Sequence, residues 1–140
     1  MIVVEGTDGV GKTSTINALR QYKLLDRDKN ISRLISVDIA LSSRAQEIYD
    51  YLKNKDEVVI FMVNNNKKEL EKRIYSRDRI DKYDELTYLY NLLYLETYEY
   101  MEKNKMSNDK LLLADVTNLN FEEQVALLND IIKKVMKDEY

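Results

Sequence analysis

The chain has 140 residues, with 22 Lys and Arg against 25 Asp and Glu for a formal charge of −3, and it contains no His, Cys, Trp or Pro. Those absences exclude disulfides, thiolate nucleophiles, Ser-His-Asp triads and His/Cys sites for zinc or haem, so any chemistry must come from carboxylates, Arg, Lys, hydroxyls and backbone. The slightly acidic balance argues against a nucleic-acid partner. No stretch approaches the ~20 apolar residues of a membrane span, and Met1 to Glu5 is too short for a signal peptide; a single cytoplasmic domain with no membrane partner is expected.

The chain opens on a β-branched apolar run, Ile2-Val3-Val4, that reads as a strand. Average usage of about 7% would give about ten glycines in a chain of this length, yet there are three, Gly6, Gly9 and Gly11, all within six residues. Glycine is placed where the backbone takes positive φ or approaches a ligand closely, so the chain has one such place. Gly6-Thr7-Asp8-Gly9-Val10-Gly11-Lys12-Thr13 matches G-x-x-x-x-G-K-[ST] in full, after a strand and before a helix. In that arrangement the successive N–H groups from Gly9 to Thr13, with Ser14 following, form an anion nest at the positive end of a helix dipole. Lys12 sets a point charge on the β- and γ-phosphates and the Thr13 hydroxyl ligates Mg²⁺. ATP or another nucleoside triphosphate is the expected ligand.

The next helix is expected over Lys12 to Tyr22, with Ile16 and Leu19 facing the core, and a second strand over Tyr22 to Leu25. A polar loop, Asp26 to Asn30, leads into a mostly helical segment from Ile31 to Lys53. Val58 to Val63 is apolar without interruption, as buried parallel strands tend to be. Helices follow over about Lys67 to Ser76 and Asp84 to Asn104. In the second of these Leu89, Leu92, Leu93 and Leu95 are the expected core face, and Tyr83, Tyr88, Tyr90, Tyr94, Tyr98 and Tyr100 crowd the same stretch. Leu111 to Ala114 is the last strand, and a final helix capped near Asn120 runs to about Lys137 with Val125, Leu128, Ile131, Ile132 and Val135 inward. Strands alternating with helices predict a doubly wound α/β sandwich of three layers, of the P-loop NTPase type, with a short, mostly parallel central sheet and the ligand at the strands' carboxyl ends.

Glu5-Gly6-Thr7-Asp8-Gly9-Val10-Gly11-Lys12-Thr13 resembles the E-G-x-D-G-x-G-K-[ST] loop of thymidylate kinases, a family of P-loop nucleotide kinases. The acidic residue inside the loop is the distinctive letter, and the resemblance gives Asp8 a place facing the acceptor nucleotide. Asp26-Arg27-Asp28 resembles the family's Asp-Arg-Tyr, with Asp28 where Tyr is usual. This implies Asp26 near Mg²⁺ and Arg27 on the acceptor phosphate. Ser43-Arg44-Ala45-Gln46 looks like the helix whose Arg contacts the acceptor base; Ala40 stands where members carry a stacking Phe. Leu70 to Arg79 lies where the family has an Arg-rich lid, here about 73–80, which implies Arg73, Arg77 and Arg79 over the transferring phosphoryl group. Convergent guanidiniums suit charge spreading over equatorial oxygens. The segment from Tyr22 to Asp56 is shorter than in the family and lacks its Glu-Pro-Gly.

The resemblance therefore implies ATP- and Mg²⁺-dependent phosphoryl transfer to a deoxynucleoside monophosphate, dTMP first, with a homodimer as in many members. A nucleoside acceptor would need a positioned carboxylate base, for which Asp26, Asp8 and Glu5 are the candidates. The alternatives are a deoxynucleoside kinase, or a non-catalytic nucleotide-binding protein whose acceptor site has degenerated.

Overall fold

Uninterrupted apolar strands require cover on both faces, and the helices supply it. The structure, a computed structural model, describes residues 1–7, 9–26, 31–75, 86–106 and 109–138. Its strands are β1 (Ile2–Gly6), β2 (Leu25–Asp26), β3 (Val58–Val63) and β4 (Leu111–Asp115), and its helices are α1 (Lys12–Ala18), α2 (Ile31–Leu34), α3 (Leu41–Asn54), α4 (Lys67–Tyr75), α5 (Thr87–Lys103) and α6 (Phe121–Asp138). The sheet is parallel throughout, in the order β2-β1-β3-β4. The period-2 alternation of strands divides the core. Val3, Val59, Phe61, Val63 and Leu111 pack with Ile31, Ile48, Leu52, Tyr94 and Met101 from α2, α3 and α5. Val4, Ile60, Met62 and Ala114 pack with Leu19, Leu70, Leu128 and Ile132 from the opposite side. Three layers result, as expected.

The order of strands reverses at β1. The chain leaves β1 for β2 on one side and returns through α2 and α3 to β3 on the other. In open α/β sheets ligands lie outside the carboxyl ends at such a switch point, and the glycine-rich loop begins there. Among the described residues no helix is long and apolar enough to cross a membrane.

Four local expectations change. The helix read over Lys12 to Tyr22 stops at Ala18: the Leu19 N–H is shared between the carbonyls of Thr15 and Ile16, Arg20–Tyr22 form a 3-10 turn, and Lys23 adopts φ 54°. The second strand consequently starts later, at Leu25, and takes in Asp26, which was expected in the loop. The segment from Ile31 to Lys53 is two helices, separated at residues 35–40. On α5 the buried stripe is Thr87, Asn91, Tyr94, Thr97 and Met101, whereas Leu89 is 39% exposed. Hydropathy alone misplaces this face because its polar members have partners inside. Thr97 Oγ1 donates to the Leu93 carbonyl at 2.6 Å and Asn91 Oδ1 accepts the Asn64 N–H at 2.8 Å. The Asn120 cap holds: its Oδ1 accepts the Glu123 N–H at 2.8 Å while Glu123 Oε1 accepts the Asn120 N–H at 3.0 Å, a reciprocal capping box.

Phe61, fully buried, meets Tyr94 edge to face with centroids 4.9 Å apart. Phe61→Ala is expected to cost about 3–5 kcal/mol in urea unfolding and Leu89→Ala about 0.5 or less; equal effects would contradict this core. Burial first, then the Glu102 side chain at 2.8 Å, pushes the Tyr98 hydroxyl up from its ordinary value of 10 to about 12. Because the folded value is the higher one, stability should fall as pH rises from about 10 to about 12. Tyr98→Phe should show a shallower decline in a pH series of unfolding midpoints, and an unchanged slope would refute the assignment.

Candidate functional site

Gly6 closes β1 against β3. A Cβ there would lie 2.7 Å from the Met62 carbonyl oxygen, so only glycine lets the two strands meet at the point where the loop departs. Gly9 and Gly11 take φ 87° and 88°, and Gly11 forms the N-cap of α1. These left-handed positions turn the chain back onto the helix. Val10, between them, is an interior residue whose side chain packs with Val4 and Leu128, so only its backbone can meet a ligand. The loop and α1 surround a depression of about 320 Å³ lined by Thr7, Gly9, Gly11, Lys12, Thr13, Ser14 and Arg73. Six of these seven lining residues lie in the glycine-rich segment.

The parallel pairing of Val4 with Asp26 carries a carboxylate to this depression. Asp26 receives the Lys12 ammonium on one oxygen at 3.1 Å and the Thr13 hydroxyl on the other at 3.2 Å. Lys12 also donates to the Gly6 carbonyl at 3.3 Å. The residues expected to carry phosphate and metal are thus assembled in one cluster. One carboxylate beside one hydroxyl suits Mg²⁺, which keeps several waters and takes its other ligands from substrate phosphates. Among the described residues no group of three or more His, Cys, Asp or Glu is placed to hold a metal ion.

Arg73, in the last turn of α4, donates to the Gly9 carbonyl at 3.1 Å and pairs with Glu69 one turn back. Of the three arginines expected in the lid, Arg73 is the one within the described residues, and it reaches the loop. Asp8, Arg27, Arg77 and Arg79 lie outside the described residues. Glu5 is fully buried at the end of β1.

Arg44 corrects an expectation. Instead of facing a ligand it is 2% exposed and donates to the carbonyls of Leu34 at 2.9 Å and Ile39 at 2.8 Å, to that of Ser36, and to Thr97 Oγ1 at 3.2 Å. Burial lowers its pKa from the usual arginine value, and Glu96 opposes that shift. The planar fork of donors stitches the turn at 34–39 to α3 and α5, a task for which lysine lacks the geometry.

Two sets of residues were not singled out from the sequence. Gln124 of α6, 1% exposed, donates through Nε2 to the Val10 carbonyl and to Thr15 Oγ1, both at 2.9 Å. Its amide also fills the space that a Cβ on Gly11 would enter, 2.4 Å from Nε2. The signal was available: Gln124 is a polar residue one turn before Leu128, on the apolar stripe of its helix. The second set is the run Asn64-Asn65-Asn66 after β3. Asn65 N–H donates to Thr117 Oγ1 at 2.9 Å, Asn66 Nδ2 to Asn118 Oδ1 at 2.9 Å, and Asn66 Oδ1 accepts the Glu69 N–H at 3.1 Å, so the run joins the carboxyl ends of β3 and β4 to the start of α4.

No family model and no curated protein matches this sequence. The likeness to thymidylate kinases therefore rests on the motifs quoted above.

Arg44→Lys is expected to lower stability by about 1–3 kcal/mol in urea unfolding, through carbonyls left unpaired, with affinity for the expected acceptor, dTMP, unchanged. An unaltered unfolding midpoint accompanied by a lost ligand response would return Arg44 to the binding site.

Proposed function

We propose that this protein is an ATP- and Mg²⁺-dependent nucleotide kinase that transfers the γ-phosphoryl group to a deoxynucleoside monophosphate, with dTMP the acceptor that the motif resemblance favours. The single observation that carries the reading is Asp26, which meets Lys12 at 3.1 Å and Thr13 at 3.2 Å. A glycine-rich turn alone binds anions of many kinds. An acid on the neighbouring strand beside the loop Lys and Thr is the arrangement that handles a metal-bound triphosphate.

In this reading Lys12 and the loop N–H groups from Gly9 to Thr13 hold the phosphates. Thr13 and Asp26 would hold Mg²⁺, which supplies charge neutralisation between the β- and γ-phosphates. Arg73 follows the charge that develops on the transferring group. The resemblance adds Arg77 and Arg79 to that task, and Asp8 and Arg27 to orienting the acceptor. A monophosphate attacks through an oxygen that is already anionic, so no strong general base is needed. Of the candidate bases, Asp26 is engaged by Lys12 and Thr13 and Glu5 is fully buried, while Asp8 lies outside the described residues. A nucleoside acceptor, as in a deoxynucleoside kinase, is the less favoured enzyme reading for the same reason. A cytoplasmic location belongs to this proposal.

One observation favours a second reading. Arg44, the residue matched to acceptor-base contact, is committed to backbone carbonyls, and the segment around it is short. A nucleotide-binding protein without transfer would keep the phosphate cluster and lack the acceptor side.

A coupled ADP-release assay with Mg-ATP, against a panel of deoxynucleosides and their monophosphates, separates these readings. Acceptor-dependent turnover with one monophosphate is expected, with a loss of about 100-fold or more in Lys12→Ala and in Asp26→Asn. Turnover with a nucleoside only would replace the acceptor class. ATP binding with no acceptor-dependent release would establish the binding-protein reading.

A further inference from the structure

A loop that offers backbone N–H groups to an anion must hold each peptide unit the right way round, and glycine does not do this for itself. Gly9 and Gly11, at φ 87° and 88°, have no Cβ to limit how the units beside them turn. In this chain three side chains take loop carbonyls instead. Lys12 donates to the Gly6 carbonyl at 3.3 Å, Arg73 to that of Gly9 at 3.1 Å, and Gln124 of α6 to that of Val10 at 2.9 Å. Lys12 and Arg73 line the depression, so each also faces whatever binds there. Gln124 is different: it is 1% exposed, and the depression is lined without it.

The orientation of the Gln124 amide is fully determined. Its nitrogen has two hydrogens, and these go to the Val10 carbonyl and to Thr15 Oγ1, both at 2.9 Å. An oxygen in the same place could not donate to a carbonyl. The residue stands in the first turn of α6, where its own N–H donates to the Asn120 carbonyl at 2.9 Å and the Asn120–Glu123 capping box fixes the helix end. The amide therefore reaches the loop from a rigid base.

A trans peptide unit is planar, with its C=O and N–H pointing in opposite directions. Val10 and Gly11 share such a unit. Gln124 draws the Val10 carbonyl inward, beside a Val10 side chain that is itself packed in the core. The N–H of Gly11, at the other end of the unit, is thereby turned outward, and Gly11 lines the depression. We propose that Gln124 is a positioning residue for the triphosphate: by holding the Val10 carbonyl inward it aims the Gly11 N–H at a phosphate oxygen, without touching the ligand. The proposal rests on the reading of the depression as a triphosphate site. A donor held in place before the ligand arrives costs no reorganisation on binding. Without the amide, the glycine beside the unit lets it turn over, and an anion would then meet a carbonyl oxygen in place of a donor.

Solution NMR on the full chain tests this. Of the three glycines, Gly11 alone follows a valine, so carbonyl-labelled valine combined with amide-labelled glycine isolates the Gly11 signal. Titration with Mg-ATP is expected to shift that signal to saturation in the unaltered chain. Gln124→Met keeps the side chain's length and removes the donor. It should weaken Mg-ATP binding by about tenfold and reduce the Gly11 response at saturation. Circular dichroism establishes that the variant is folded, and Gln124→Leu takes its place if it is not. A brace with a merely structural role would lower the unfolding midpoint and leave the affinity of the folded chain unchanged. Failure of the unaltered chain to bind Mg-ATP would overturn the triphosphate reading and this proposal with it. Binding that leaves the Gly11 signal unmoved, or a folded Gln124 variant that binds as tightly as the unaltered chain, would overturn this proposal alone.

Discussion

The candidate site depends on a two-residue strand. β2 pairs with β1 through Val3 with Leu25 and Val4 with Asp26, and among the described residues that short ladder delivers the carboxylate that meets both Lys12 and Thr13. Side chains in a strand alternate between faces, so a register slip of a single residue would turn Asp26 away from the loop. The glycines serve the same end. Gly6 allows β1 to lie against the Met62 carbonyl, and Gly11 leaves room for the Gln124 amide. Lys12 and Thr13 of α1 and Asp26 of β2 are thereby brought together by backbone geometry.

Behind the loop, polar side chains replace apolar packing at selected points of the interior. Gln124 bonds the Val10 carbonyl from a helix that starts more than a hundred residues later in the chain, and the Asn64 to Asn66 run ties β3 to β4 and α4. A buried amide left without partners costs about 1–3 kcal/mol, so each of these groups specifies one arrangement of the elements that meet it. Arg44 acts in the same way on the turn at 34–39. The glycine-rich loop is thus braced from the α6 side, and the turn at 34–39 by an arginine that the sequence placed at a ligand.

What was legible in the sequence follows from the range of the interactions concerned. Val58 to Val63 could be read as a buried strand because its apolar run is a local property, and Asn120 as a cap because a capping box spans four residues. The glycine-rich loop was legible for the same reason: its spacing encodes backbone shape. The stripe Thr87, Asn91, Tyr94, Thr97, Met101 was not, since Asn91 and Thr97 become core residues only when Asn64 and Arg44 arrive from distant segments. Arg44 itself illustrates the limit of motif transfer. A matched residue type on a matched helix says nothing about which way the guanidinium is held, and here three carbonyls hold it inward. The end of α1 at Ala18 was equally hidden, because Lys23 adopts a left-handed conformation with no glycine to announce it.

The central claim is that Lys12, Thr13 and Asp26 form a metal-triphosphate site. Calorimetric titration of the chain with ATP, with and without Mg²⁺, tests it directly. The account predicts saturable one-site binding that is lost in Lys12→Ala and tightens with Mg²⁺, and it predicts that Asp26→Asn still binds ATP but no longer responds to Mg²⁺. Absence of ATP binding by the unaltered chain, or binding indifferent both to Mg²⁺ and to Lys12→Ala, would contradict it.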